Sequence, residues 1–187
     1  MTLKNYIENL TKKNQIEIAL KLISIALPIW TKFAINNKLS YTESVTGTHQ
    51  TIKGNLLEKA LQTVNQEFKN PNSKQNDLKI LFDTFTEPIT AIQDNDWDLP
   101  KEVSLVFYAI YNLLIAIKDH ELSLHISINQ ACDAILKAEL LSSKALKELL
   151  YNYSKSSNKL KKNMPKSVII EVVEIGLKLV KRIIKNG

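Results

Sequence analysis

Two short stretches of this chain hold residue types that could do chemistry. The first is Tyr41-Thr42-Glu43-Ser44-Val45-Thr46-Gly47-Thr48-His49, where a hydroxyl, a carboxylate and an imidazole fall within seven residues. Ser44, Glu43 and His49 are suitable types for a nucleophile, its orienting acid and its base. No nucleophile elbow and no glycine-rich oxyanion loop accompanies them, so nothing in the sequence fixes their geometry. The second stretch is Asp94-Asn95-Asp96-Trp97-Asp98. Alternating carboxylates open a calcium loop, but that loop needs glycine at its sixth position and glutamate at its twelfth. Leu99 and Leu105 stand there instead. What remains is a solvated acidic connection leading into a helix, or a partner surface in which an exposed Trp97 is ringed by Asp94, Asp96 and Asp98.

Other candidates fall away on spacing. His120 and His125 are five apart, not the four that would put both on one helical face, and no Cys/His cluster exists, so no metal is expected. Cys132 shares an apolar face with Ile128 and Ile135 and reads as a small buried hydrophobe. Neither a GxGxxG string nor a P-loop occurs, which excludes those two nucleotide chemistries, and no cofactor is expected.

The elements that must position these stretches are helices. Glycine (4) and proline (5) are scarce among 187 residues, which favours long helices over a turn-rich β fold. A short amphipathic segment covers 3–11. A second helix, with Asn14 as its cap, carries Ile16, Ala19, Leu20, Ile23, Ala26, Leu27, Trp30 and Phe33/Ala34 at steps of three and four to about Asn36. Pro28 should kink it. Residues 37–50 lack helical period and read as a long loop. Helices follow at Ile52–Phe68, at 77–92 with Pro88 inside, and at about 100–118. The last is apolar around much of its circumference and so is the central helix. Asp98 or Leu99 should begin it, with Pro100 in its first turn. A helix at 121–140 and a shorter one from Ser142 to about Tyr151 complete a main bundle over 1–152. Asn112 and Asn129, if buried, need partners and could tie the central helix to its neighbour or point into a groove. The polar run 153–163 is a flexible linker. Residues 164–187 form an amphipathic C-terminal helix, because Glu171, Glu174, Lys178, Lys181 and Lys185 keep helical period. The expectation is an all-α, single-domain bundle of about seven helices.

Charge is uneven along this scaffold. The net charge is +6, yet residues 143–187 carry +8 and residues 77–102 carry −5. A basic end suggests nucleic acid. However, 24 of the 25 bases are lysine, which lacks arginine's bidentate fork, and that favours a solvated surface. One cysteine permits no internal disulfide, the first fifteen residues show no secretory pattern, and Ile16–Phe33 is interrupted by Glu17, Lys21 and Lys32. A cytoplasmic protein without a membrane span is expected.

Several strings occur together in one order: Leu27-Pro28-Ile29-Trp30, Glu87-Pro88-Ile89 followed by Asp94, Phe107-Tyr108-Ala109-Ile110-Tyr111-Asn112, and Ser127-Ile128-Asn129-Gln130-Ala131. This order resembles small helical bacterial proteins, including the YjaG-like family of unknown function and the helical immunity proteins of polymorphic toxin systems. The resemblance runs from about 16 to 135 and implies a non-enzymatic cytoplasmic protein that binds and neutralises a cognate toxin. The partner-binding residues expected on that reading are Glu43, His49, Asp94, Asp96, Trp97 and Asp98. Two alternatives stay open. A nucleic-acid-associated protein would act through the basic end and lose binding in salt or on truncation at Tyr153. An enzyme would use the 41–49 loop and hold Glu43 and His49 in a deep pocket. The last helix could also be an oligomerisation element, and the oligomeric state is left open.

Overall fold

The computed structural model describes residues 10–118, 122–141, 145–146 and 149–150. The expected 3–11 segment (Leu10 and Thr11 aside), His120, the 153–163 linker and the 164–187 helix lie outside them, as does most of the expected 142–151 helix. The described residues form five helices and one small hairpin, in the order α1 (Lys12–Asn36), β1 (Ser40–Thr42), β2 (His49–Thr51), α2 (Leu56–Lys69), α3 (Gln75–Gln93), α4 (Lys101–Lys118) and α5 (Leu122–Lys137). The architecture is a helical bundle, with a hairpin where a plain loop was expected.

Each helix follows from its apolar period. In α1, Ile16, Ala19, Leu20, Ile23, Ala26 and Trp30 are buried, and so are Ile18 and Leu22, which widens the face enough to meet α2, α4 and α5. Thr11, not Asn14, is its cap. The Thr11 hydroxyl accepts the Asn14 N–H at 3.3 Å, satisfying one of the first-turn donors. The helix runs on through Pro28, which is exposed. By length and composition α1 could also cross a membrane; in this fold its apolar side is part of the core.

Helix α4 contacts each of the other four helices and is the central helix that its composition predicts. Its closest neighbour is α5, where Ala109, Ala131 and Ala134 are fully buried and let the backbones approach. Two polar ties fix this pair. The Ser127 hydroxyl donates to the Ala109 carbonyl at 2.7 Å, and the Asn112 amide donates to Gln130 Oε1 at 3.0 Å. Cys132 is buried, and burial, with a smaller push from Asp133, raises its thiol to about 12. Leu146 and Leu150 also reach the core.

Helix boundaries differ from the expected ones where side chains or turns intervene. Helix α2 starts at Leu56, not Ile52, because Gln50 and Thr51 belong to β2 and the Ile52 N–H bonds back to Leu39 O at 2.8 Å. Helix α4 starts at Lys101, not Asp98 or Leu99. Pro100 supplies the carbonyl that accepts the Val103 and Ser104 N–H groups, so it stands just before the first turn. Glu67 is buried at the end of α2, and its two carboxylate oxygens take the Asn72 and Lys74 N–H groups, both at 2.7 Å. That single side chain closes the turn between α2 and α3.

Candidate functional site

The two stretches with chemical potential meet. The 37–50 segment folds back as an antiparallel hairpin with Ser40, Tyr41 and Thr42 opposite Thr51, Gln50 and His49. Its tip closes through Glu43 N–H to Thr48 O at 3.0 Å and Gly47 N–H to Glu43 O at 2.8 Å. Gly47 sits at φ +69°, the left-handed region that glycine adopts without a Cβ penalty. Glu43 braces this tip: one oxygen accepts the Thr46 hydroxyl at 2.6 Å and the other the Gln50 amide at 3.3 Å.

The acidic connection is shaped by how α3 ends. Asn95 adopts φ +62°, and the Asp96 N–H reaches back to Ala91 O at 2.8 Å. This is a Schellman closure with asparagine in the left-handed position, a residue that tolerates it. The turn aims Asp96 at the hairpin. Its Oδ2 accepts both the Ser44 N–H at 2.9 Å and the Ser44 hydroxyl at 3.1 Å. Asp94 and Asp98 stay exposed.

Trp97 contradicts the exposed-anchor expectation. It is 5% exposed and forms the floor beneath the hairpin. Tyr41 stacks on it at 5.6 Å with planes 26° apart, while Trp97 meets Trp30 edge-on at 6.4 Å and Phe107 at 5.8 Å. Phe107 in turn lies 4.9 Å from Phe85 of α3. Trp30 is fully buried, and its indole N–H donates to Gly54 O at 2.7 Å, which pins the chain just after β2. An aromatic cluster therefore joins the hairpin, the acidic connection, α1, α3 and α4. Indole and phenyl rings supply large buried area here, and edge-to-face geometry adds to it.

Three carboxylates act on the Tyr41 hydroxyl. Tyr41 is buried, and its hydroxyl is pushed up to about 12, first by desolvation and then by Glu87, Glu43 and Asp96. Glu87 is a member of the cluster that sequence reasoning missed. Its signal was its place seven residues before Asp94, two helical turns along the same side of α3.

Of the six expected partner-binding residues, the structure brings Glu43, Asp96 and Trp97 together as internal braces. Asp94, Asp98 and His49 remain on the surface. His49 Nδ1 lies 3.3 Å from the Thr42 hydroxyl, and Ser44 is committed to Asp96, so no Ser44–His49 hydrogen bond forms. The hairpin tip presents Val45, 93% exposed, beside these acids. Among the described residues, no group of three or more His, Cys, Asp or Glu side chains converges to hold a metal ion. Comparisons with protein-family models, with curated proteins and with solved structures yield no match, so the functional reading rests on this geometry.

Proposed function

We propose that this protein is a non-enzymatic binding module of the helical immunity type, which neutralises a basic protein partner through the hairpin end of its bundle, in the cytoplasm. The observation that carries the reading is the docking of the hairpin on the 94–98 connection. It makes one preorganised surface from two segments that are separate in sequence. Preorganisation lowers the ordering cost of association. Exposed Glu87, Asp94 and Asp98 give the surface a negative field that speeds encounter with a basic cleft, and Val45 supplies an apolar contact at the tip.

The test uses tagged full-length protein and its D94K/D98K variant as baits in lysate of the source cell. A stoichiometric basic protein held by the wild type and released by the variant is expected. Co-expression should then suppress that protein's toxicity. Equal retention on both baits, or co-expression without protection, would sink the proposal.

A further inference from the structure

A second surface lies at the other end of α1. Trp30 and Thr31 join α1 to α2 through Gly54 and Glu58, where the Thr31 hydroxyl donates to Glu58 Oε1 at 2.6 Å. Towards Lys13 side chains of the two helices line an open groove of about 760 Å³. Its floor is Leu20 from α1 with Leu61 and Phe68 from α2, and its rims carry Lys13, Lys21 and Lys69. Glu17 is the one acid in the lining, and Ser24, Gln62 and Asn65 add neutral polar groups. All three lysines are exposed, and among the described residues none forms an ion pair. Along α1 the lining runs from Lys13, roughly 25 Å before Trp30, to Ser24, roughly 9 Å before it, at 1.5 Å per residue. The groove shares no lining residue with the hairpin end and is independent of the function proposed for it.

We infer that this groove receives an acidic amphipathic helix from a partner protein. Both walls are helices, so a third helix can lay one row of apolar side chains along the Leu20–Leu61–Phe68 floor by ordinary ridge-and-groove packing. The stretch from Lys13 to Ser24 accommodates about three turns. Flanking carboxylates on the incoming helix then meet Lys21 on one rim and Lys69 on the other. A second copy presenting the same groove is disfavoured, because a two-fold contact would set lysine against lysine.

The probe is a synthetic helix of about fifteen residues, four turns, with leucines at i, i+3, i+4 and i+7 and glutamates on both flanks. Its control carries lysines in place of the glutamates. Calorimetry with the full chain should show saturable binding of the acidic peptide and at least roughly tenfold weaker binding of the control, from several charge pairs acting together. K21E/K69E should weaken the acidic peptide by about tenfold, and its far-ultraviolet circular dichroism at room temperature should match the wild type, because both side chains are exposed and reversing Lys69 in the last turn of α2 costs about 1 kcal/mol at most. The inference is overturned if the acidic peptide does not bind, if both peptides bind equally, or if K21E/K69E changes nothing. Concentration-dependent dimers that K21E/K69E disperses would also overturn it, by assigning the groove to a second copy.

Discussion

Trp97→Ala separates a buried floor from an exposed anchor. The side chain is 5% exposed and touches Tyr41, Trp30 and Phe107. A buried tryptophan hides about 150–250 Å², which at roughly 25 cal/mol per Å² corresponds to about 4–6 kcal/mol. An unfolded chain already buries part of that area, so the figure falls to about 3–5 kcal/mol. Large-to-small aromatic truncations in cores cost about the same amount. The substitution should therefore remove a large share of a stability that for most domains is about 5–15 kcal/mol. Trp97→Phe keeps a ring over Tyr41 and should cost less than half as much. Urea denaturation followed by far-ultraviolet circular dichroism is the assay, since fluorescence would lose one of its two tryptophan reporters. If Trp97→Ala leaves the unfolding free energy within about 0.5 kcal/mol of wild type while partner capture fails, the floor assignment is wrong.

Three further outcomes are expected. A double-mutant cycle on Ser44→Ala and Asp96→Ala should give a coupling of about 0.5–1 kcal/mol, because the Ser44 hydroxyl bond is lost in either single variant; additive effects would mean the two side chains do not interact in solution. Gly47→Ala meets no atom within 4 Å, so its cost of about 1 kcal/mol is purely conformational, whereas Glu139→Gly, at φ +55°, should stabilise by about 0.5–1 kcal/mol; equal signs in thermal melts would refute the backbone argument. Tyr41 holds its proton more tightly folded than unfolded, so its contribution to stability is complete below about pH 10 and is lost as pH rises towards 12. In an absorbance titration it should ionise above the ordinary tyrosine range, and Glu87→Gln should bring it partway back; no response to that variant would remove Glu87 from the cluster.

The parts of the fold legible in the sequence are those where one residue's burial is set by neighbours three and four positions away. Ile16, Ala19, Ile23, Ala26 and Trp30 in α1, or Leu124, Ile128, Ala131, Cys132 and Ile135 in α5, are buried as their spacing requires. Asn112 likewise pairs across to α5, since a half-buried amide in an apolar helix needs a partner. The hairpin was not legible. Its strands are three residues long and largely polar, too short for alternation to register, and their pairing depends on a tip whose hydrogen bonds come from Glu43, Thr46 and Gly47.

Trp97 shows where such reasoning stops. In a nonperiodic stretch nothing local states which way a side chain faces, and a tryptophan between two aspartates looks wet. Its burial is decided by Tyr41, Trp30 and Phe107, which are 56, 67 and 10 residues away in the chain and arrive on three different elements. The same turn that hides the indole alternates the carboxylates. Asn95 in the left-handed conformation turns Asp96 to Ser44 and leaves Asp94 and Asp98 in solvent. The acidic run is therefore two things at once, a brace and a charged rim. Replacing all three aspartates together would confound them. Asp96 belongs in a stability measurement, whereas Asp94 and Asp98, which carry no hydrogen bond to the fold through their side chains, belong in a binding measurement.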